Sequence, residues 1–151
     1  MYSIEEFDKI KTKILKYVLY KKRTEKEIRL KFREENQDML DDAIEYLKEA
    51  KYIDDMNYIE RSINEFMNLK NLSKKEIEYK LMSKGIDKNL LETYMIKNSE
   101  SIEEYEKESA KKIAIKKHFS GEEIENIKQM LIKKGYQYES INEAIDELED
   151  I

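Results

Sequence analysis

Three short phrases in this chain share one grammar. RTEKEI at 23–28, LSKKEI at 72–77 and FSGEEI at 119–124 each place a hydroxyl residue three positions before a glutamate, with an isoleucine next. This is the capping-box pattern. The hydroxyl accepts from an orphan N–H at a helix start, and the glutamate reaches back to the cap residue's own N–H. With 12 Ser or Thr and 25 Glu in 151 residues, the spacing should arise about twice by chance. It occurs seven times, from Ser3, Thr24, Ser62, Ser73, Ser101, Ser120 and Ser140. Ser62 falls inside an apolar stripe. The other six fall where a helix is expected to begin.

The phrases lie 49 and 47 residues apart, and two glycine stops, Gly85 and Gly135, lie 50 apart. Hydrophobic periodicity predicts three helices per period. The first unit has stripes at Phe7, Ile10, Ile14 and Val18, at Ile28 and Phe32, and at Leu40, Ala43, Ile44 and Leu47. The second starts near Asp54 and Asp55, which suit helix caps better than metal ligands. Its stripes are Ile59, Ile63, Phe66 and Met67, then Ile77 and Leu81, then Leu90, Leu91, Tyr94 and Met95. The third uses Ala110, Ile113 and Ala114, then Ile124, Ile127 and Leu131, then Ile141, Ala144, Ile145 and Leu148. Lys84-Gly85 and Lys134-Gly135 are basic-then-glycine helix endings. Counting from Ile77 and Ile124 to these glycines predicts a longer second helix in the last unit. The second and third helices of a unit suit a helix-turn-helix-like pair.

The expected fold is therefore all-α, an elongated tandem array of three three-helix repeats spanning 1–53, 54–98 and 99–151. Composition agrees. Proline is absent and glycine occurs only at Gly85, Gly121 and Gly135, which argues against a turn-rich β fold. At 40 % hydrophobic and 42 % charged residues there is enough apolar material for cores. No cysteine is present, so neither a disulfide framework nor a thiolate metal site is available. No apolar run approaches the roughly 20 residues of a bilayer span, and the first residues are no signal peptide. A soluble cytoplasmic protein is expected.

The net charge of −5 hides a polarity. Residues 9–33 hold 11 bases against only Glu25 and Glu27, whereas residues 99–151 hold 14 acids and 8 bases. Such asymmetry suits a protein lying along another macromolecule. Candidate partner contacts are Lys21, Lys22, Arg23, Lys26, Arg29, Lys31 and Arg33, with Arg23 and Lys26, joined by Lys22 and Arg29, expected on one helical face. Lys70, Lys74, Lys75, Lys80 and Lys84 form a second set. Lys111, Lys112, Lys116 and Lys117 lie among acids and suit internal salt bridges. His118, the only histidine, cannot build an ordinary zinc site without a second His or a Cys; it suits a helix end. Most tyrosines, Tyr46 and Tyr94 among them, lie beside apolar stripes and suit core packing, while Tyr136 and Tyr138, beside a glycine turn, are expected to be exposed. No phosphate loop, nucleophile elbow or metal cluster is written in the chain, so no enzyme, no cofactor and no metal are expected.

The order of these motifs resembles the RecX family of bacterial recombination regulators. RTEKEI is followed by YLKEAKYIDDMNYIERSINEF and LSKKEIEYKLMSKGIDKNLLE. The aromatic-aliphatic-Asp-Asp turn of that family stands here as Tyr52, Ile53, Asp54 and Asp55, with Tyr58 one turn on. Its glycine turns stand as Lys84-Gly85-Ile86 and Lys133-Lys134-Gly135-Tyr136. The resemblance runs from about Phe7 to Leu148. This second repeat uses lysine where many relatives have arginine, so fork-like guanidinium contacts do not carry over. Some relatives have a segment before the first repeat, where this chain opens almost directly on its first helix. The resemblance implies a non-enzymatic modulator of RecA that binds the groove of the RecA–single-stranded-DNA nucleoprotein filament; the chain itself is expected to be a monomer. It would inhibit ATP hydrolysis, strand exchange and filament growth, and so act on recombination and the SOS response. The alternative expectation is a stand-alone helical protein contacting single- or double-stranded DNA through the basic first repeat. A pI near 5.2 argues against that alternative.

Overall fold

A computed structural model describes all residues from Met1 to Ile151. It contains nine α-helices and no strand: α1 (Ile4–Tyr20), α2 (Glu25–Lys31), α3 (Gln37–Glu49), α4 (Asp55–Leu69), α5 (Lys74–Ser83), α6 (Lys88–Lys97), α7 (Ser99–Phe119), α8 (Ile124–Lys134) and α9 (Tyr138–Glu149). No helix is long and apolar enough to cross a membrane. Three separate cores hold the helices. The first joins Ile10 and Ile14 to Ile28 and to the α3 stripe of Leu40, Ala43, Ile44 and Leu47. The second joins Ile59 and Ile63 to Ile77, Leu81, Leu91 and Met95. The third joins Ala110 and Ala114 to Ile127, Leu131, Ile141, Ala144 and Leu148. Each buried Ile or Leu contributes on the order of 1.5–3 kcal/mol relative to exposure. No cluster links α1–α3 to α7–α9, so the molecule is an array of cores rather than one.

Helix α7 belongs to two of these cores. Its first half places Ile102 and Tyr105 in the second cluster, and its second half begins the third. Asn98 explains the continuity. It is at once the C-cap of α6 and the N-cap of α7, so no loop separates the two helices.

Ser3, Thr24 and Ser73 form full capping boxes with Glu6, Glu27 and Glu76. Asp54 caps α4 by accepting from the Asn57 N–H. Three other expected caps are not caps. Ser101 is the third residue of α7 and donates to the Asn98 carbonyl. Ser140 lies in the first turn of α9 with its hydroxyl turned to Glu106. Ser120 closes α7 instead of opening α8, because Gly121, at φ 96°, takes the left-handed position that ends a helix. The start of α8 is thereby pushed past Glu123, which takes the N-cap position without a side-chain bond.

This shift corrects the register. The third phrase is displaced by three residues, and the position equivalent to Ile77 is Ile127, which is fully buried, not Ile124. Nor is the last unit's second helix markedly longer: α8 has 11 residues and α5 has 10.

Two tyrosines also differ from expectation. Tyr136 is only 5 % exposed, its hydroxyl 2.7 Å from Ser109 Oγ, because the Gly135 turn folds it inward onto α7. Tyr46 is half exposed and serves as a platform, with Lys11 Nζ 4.4 Å from its ring. Tyr138 is exposed as expected.

Candidate partner-binding surface

The basic segment leaves the end of α1 as an extended strap. Lys21, the C-cap of α1, has φ −157° and ψ 142°, and helical geometry resumes only at Glu25. Lys22 and Arg23 therefore stand before α2, not on it, and the expected single helical face does not form. The strap runs beside α4 instead. Lys22 Nζ donates to the Asn57 side chain, a neutral partner that leaves the lysine charge uncompensated. Lys21 and Lys22 then line an open cleft of about 240 Å³ with Tyr58, Arg61, Ser62 and Glu65 of α4. Arg61 is a cation that sequence reasoning passed over. Its spacing of three from Tyr58 and four from Glu65 marks an outward helix stripe, but only tertiary packing brings it to the strap.

The other candidate cations divide by what they touch. The Arg23 guanidinium stacks 4.1 Å from the Tyr17 ring, and its Nε is buried without a hydrogen-bond partner. Arg29 is held by Glu25 at 3.0 Å and by Asp41. Lys31 Nζ lies 5.8 Å from the Tyr17 ring, and Arg33 Nη1 donates to the Leu30 carbonyl at 3.1 Å. Lys70 pairs with Glu108 at 3.1 Å. Lys80 is exposed and makes no ion pair. Of the last basic band, Lys111 pairs with Glu147 at 3.6 Å, and Lys112 donates to the Leu69 carbonyl at 3.0 Å; Lys116 and Lys117 make no ion pair.

Lys26, Lys74, Lys75 and Lys84 mark the seams between units. At the first seam, Thr24 Oγ1 accepts from Glu27 N and donates to the Lys84 carbonyl at 2.6 Å. At the second, Ser73 Oγ accepts from Glu76 N and donates to the Lys134 carbonyl at 2.8 Å. In each case the cap of one unit's second helix binds the C-terminal end of the next unit's second helix. An acid from the next unit completes the seam: Asp55 accepts from Glu25 N at 2.9 Å, and Glu106 accepts from Lys74 N at 2.8 Å. The glycine turns fit against lysine stems. A Cβ on Gly85 would lie 2.5 Å from Lys26 Cβ, and one on Gly135 would lie 3.1 Å from Lys75 Cβ.

Glu106 is fully buried and is the main feature missed from the sequence. Its second oxygen receives Gln137 N at 2.9 Å and Ser140 Oγ at 3.0 Å. Three donors from α5, the α8–α9 turn and α9 thus satisfy a carboxylate that makes no ion pair. Nothing in its run of neighbouring acids distinguishes it by residue type. At the first seam, burial works against the Glu25 carboxylate, but hydrogen bonds from Lys48 and Arg29 hold it below the ordinary glutamate value. Burial pushes Asp55 up, and the Glu25 N–H only partly offsets this. No three His, Cys, Asp or Glu side chains converge to hold a metal.

No protein-family model matches the chain. Among curated proteins it is similar to the regulatory protein RecX of Finegoldia magna, at 37 % identity over 136 residues, covering 83 % of this chain and 64 % of that protein. The Staphylococcus carnosus protein of the same name is 32 % identical over 139 residues, covering 89 % and 52 %. That of Clostridium acetobutylicum is 30 % identical over 148 residues, covering 91 % and 68 %. The chain thus spans between about half and two thirds of the length of these relatives. The crystal structure of RecX from Lactobacillus salivarius matches with a TM-score of 0.86 and 29 % identity, covering 99 % of this chain and all of that one. A second RecX crystal structure, at 22 % identity and a TM-score of 0.79, covers 93 % of this chain and 73 % of its own and shows the same fold. On the agreement of sequence and architecture, the chain belongs to the RecX family of regulatory proteins.

Proposed function

We propose that this protein is a non-enzymatic regulator of RecA. It lies along the RecA–single-stranded-DNA filament, hinders ATP hydrolysis, strand exchange and filament growth, and acts in the cytoplasm on recombination and the SOS response. The observation that carries this reading is the repeated seam, Thr24 to Lys84 and Ser73 to Lys134. It strings separate cores into an array. Such a body can bridge neighbouring subunits of a polymer, which one compact domain of the same mass does less readily. In this reading the repeats 1–53, 54–98 and 99–151 are the units laid along the filament. The open cleft of Lys21, Lys22 and Arg61 meets an acidic protein face or phosphates, with Lys31, Arg33 and Lys80 as further contacts. Arg29 and Lys70, held by internal ion pairs, serve the fold.

The test is RecA ATPase on single-stranded DNA, with the chain titrated in. Turnover should fall to a saturating minimum, and reversing Lys21, Lys22 and Arg61 to glutamate together should weaken the inhibition. Undiminished turnover at saturating protein would remove the proposal. Tight, steeply salt-dependent binding to bare DNA without RecA would instead support the stand-alone DNA-binding reading.

A further inference from the structure

Every repeat ends its first helix on a large apolar residue that faces solvent. Helix α1 ends at Tyr20, α4 at Leu69 and α7 at Phe119. Their exposures are 86 %, 58 % and 73 %, and none joins a core. They stand 49 and 50 residues apart, the register of the seams themselves. One exposed apolar side chain is ordinary on any protein surface. The same position left apolar and uncovered in three successive units, in a chain with 42 % charged residues, is a pattern. Each position also has a cation close in sequence: Lys21 follows Tyr20, Lys70 follows Leu69, and Lys117 precedes Phe119.

We infer that Tyr20, Leu69 and Phe119 are docking knobs, one per repeat, that seat in apolar sockets rimmed by carboxylates on successive subunits of a protein polymer. The first and second seams are made by the same hydrogen bond, so the knobs recur along the array as the units do. A partner that accepts one knob accepts the next only if its own sockets recur, which is a property of a polymer. Lys21 and Lys117, which make no internal ion pair, select an acidic rim at the first and third knobs, whereas Lys70 is paired with Glu108. A nucleic-acid strand fits less well. Leu69 has no ring face on which a base could stack, and Lys70 beside it is already neutralised by Glu108 at 3.1 Å. This inference rests on the filament reading above and adds the residues that would make the contact. Linked weak contacts multiply in such an arrangement.

The experiment compares the wild type with Tyr20→Ser, Leu69→Ser, Phe119→Ser and the triple variant. Each is titrated against fluorescently labelled RecA–single-stranded-DNA filament and, separately, against the bare oligonucleotide. Each single variant should weaken filament binding about tenfold and the triple about a thousandfold. Binding to the bare oligonucleotide and the thermal midpoint should not change, and leucine at positions 20 and 119 should restore the affinity. If the wild type binds filament and the triple variant binds equally well, the knobs are not the contact while the filament reading survives. If the wild type does not bind filament, both fall. Equal losses on filament and bare oligonucleotide would make the partner a nucleic acid and overturn the assignment, as would a lowered midpoint that assigns these side chains to the fold.

Discussion

Replacing Ser73 with alanine tests whether the seams carry stability beyond ordinary helix capping. Ser73 Oγ has two jobs in the structure. It accepts from Glu76 N at 3.1 Å, and it donates to the Lys134 carbonyl at 2.8 Å in the next unit. Losing an N-cap side chain costs about 1 kcal/mol. Leaving the Lys134 carbonyl without its partner in a seam where Ser73 is fully buried costs about 1–3 kcal/mol more. The sum is about 2–4 kcal/mol. Ser3 is the internal control. It forms the same capping box, at an exposed helix start that binds no other unit, so Ser3→Ala should cost only about 1 kcal/mol. In a chain of this length each kcal/mol lowers the melting midpoint by about 2–4 °C. The two alanine variants should therefore be clearly resolved by thermal and urea unfolding. If Ser73→Ala proves no more damaging than Ser3→Ala, the hydroxyl-to-carbonyl bond is not what joins the second unit to the third.

The glycine turns give a second comparison. Gly85 and Gly121 have nearly the same left-handed backbone, but a Cβ meets Lys26 Cβ at 2.5 Å in the first case and open space in the second. Gly121→Ala should show only the backbone penalty of about 1 kcal/mol, and Gly85→Ala should lose clearly more in urea unfolding; equal losses would show that the close approach is not a constraint. Acid titration gives a third. The lowered Glu25 carboxyl contributes stability that is present above the ordinary value of 4.5 and is lost as pH falls through its lower folded value. The deficit of Glu25→Gln should therefore be largest near neutral pH and close in acid. Asp55, raised from 3.8, has the opposite sign. Asp55→Asn keeps an acceptor for Glu25 N and should gain stability at neutral pH, with the gain disappearing below about 3.8. Stability curves parallel to wild type across this range would refute both assignments.

The helices and their core faces were legible because both follow from local spacing. Ile10, Ile14, Ile44, Leu47, Ile59, Ile63, Ile77 and Leu81 are buried where a 3.6-residue period puts them. Capping was legible only where the helix start is also local. Ser3, Thr24 and Ser73 cap, but Ser101 and Ser140 do not, since Asn98 and the Glu106 contact decide where α7 and α9 begin. The partner surface was the least legible part. A cation is equally charged whether it lines a cleft, like Lys21, or is spent on a neighbour, like Arg29. Contacts separated by 30 to 60 residues make that choice, as Lys22 with Asn57 and Thr24 with Lys84 show. Glu106 could not be picked out among the acids around it for the same reason.

The residue that opens α8 bears on how far such a stack can propagate. Where Thr24 and Ser73 offer a hydroxyl proton, Glu123 offers a carboxylate, which cannot donate to a backbone oxygen at neutral pH. Bringing a further module of the same design onto that end would set negative against negative and strip water from both. A carbonyl brought to Glu123 must find its donor elsewhere, so the adhesive rule that makes the first two seams is not written a third time at the start of α8.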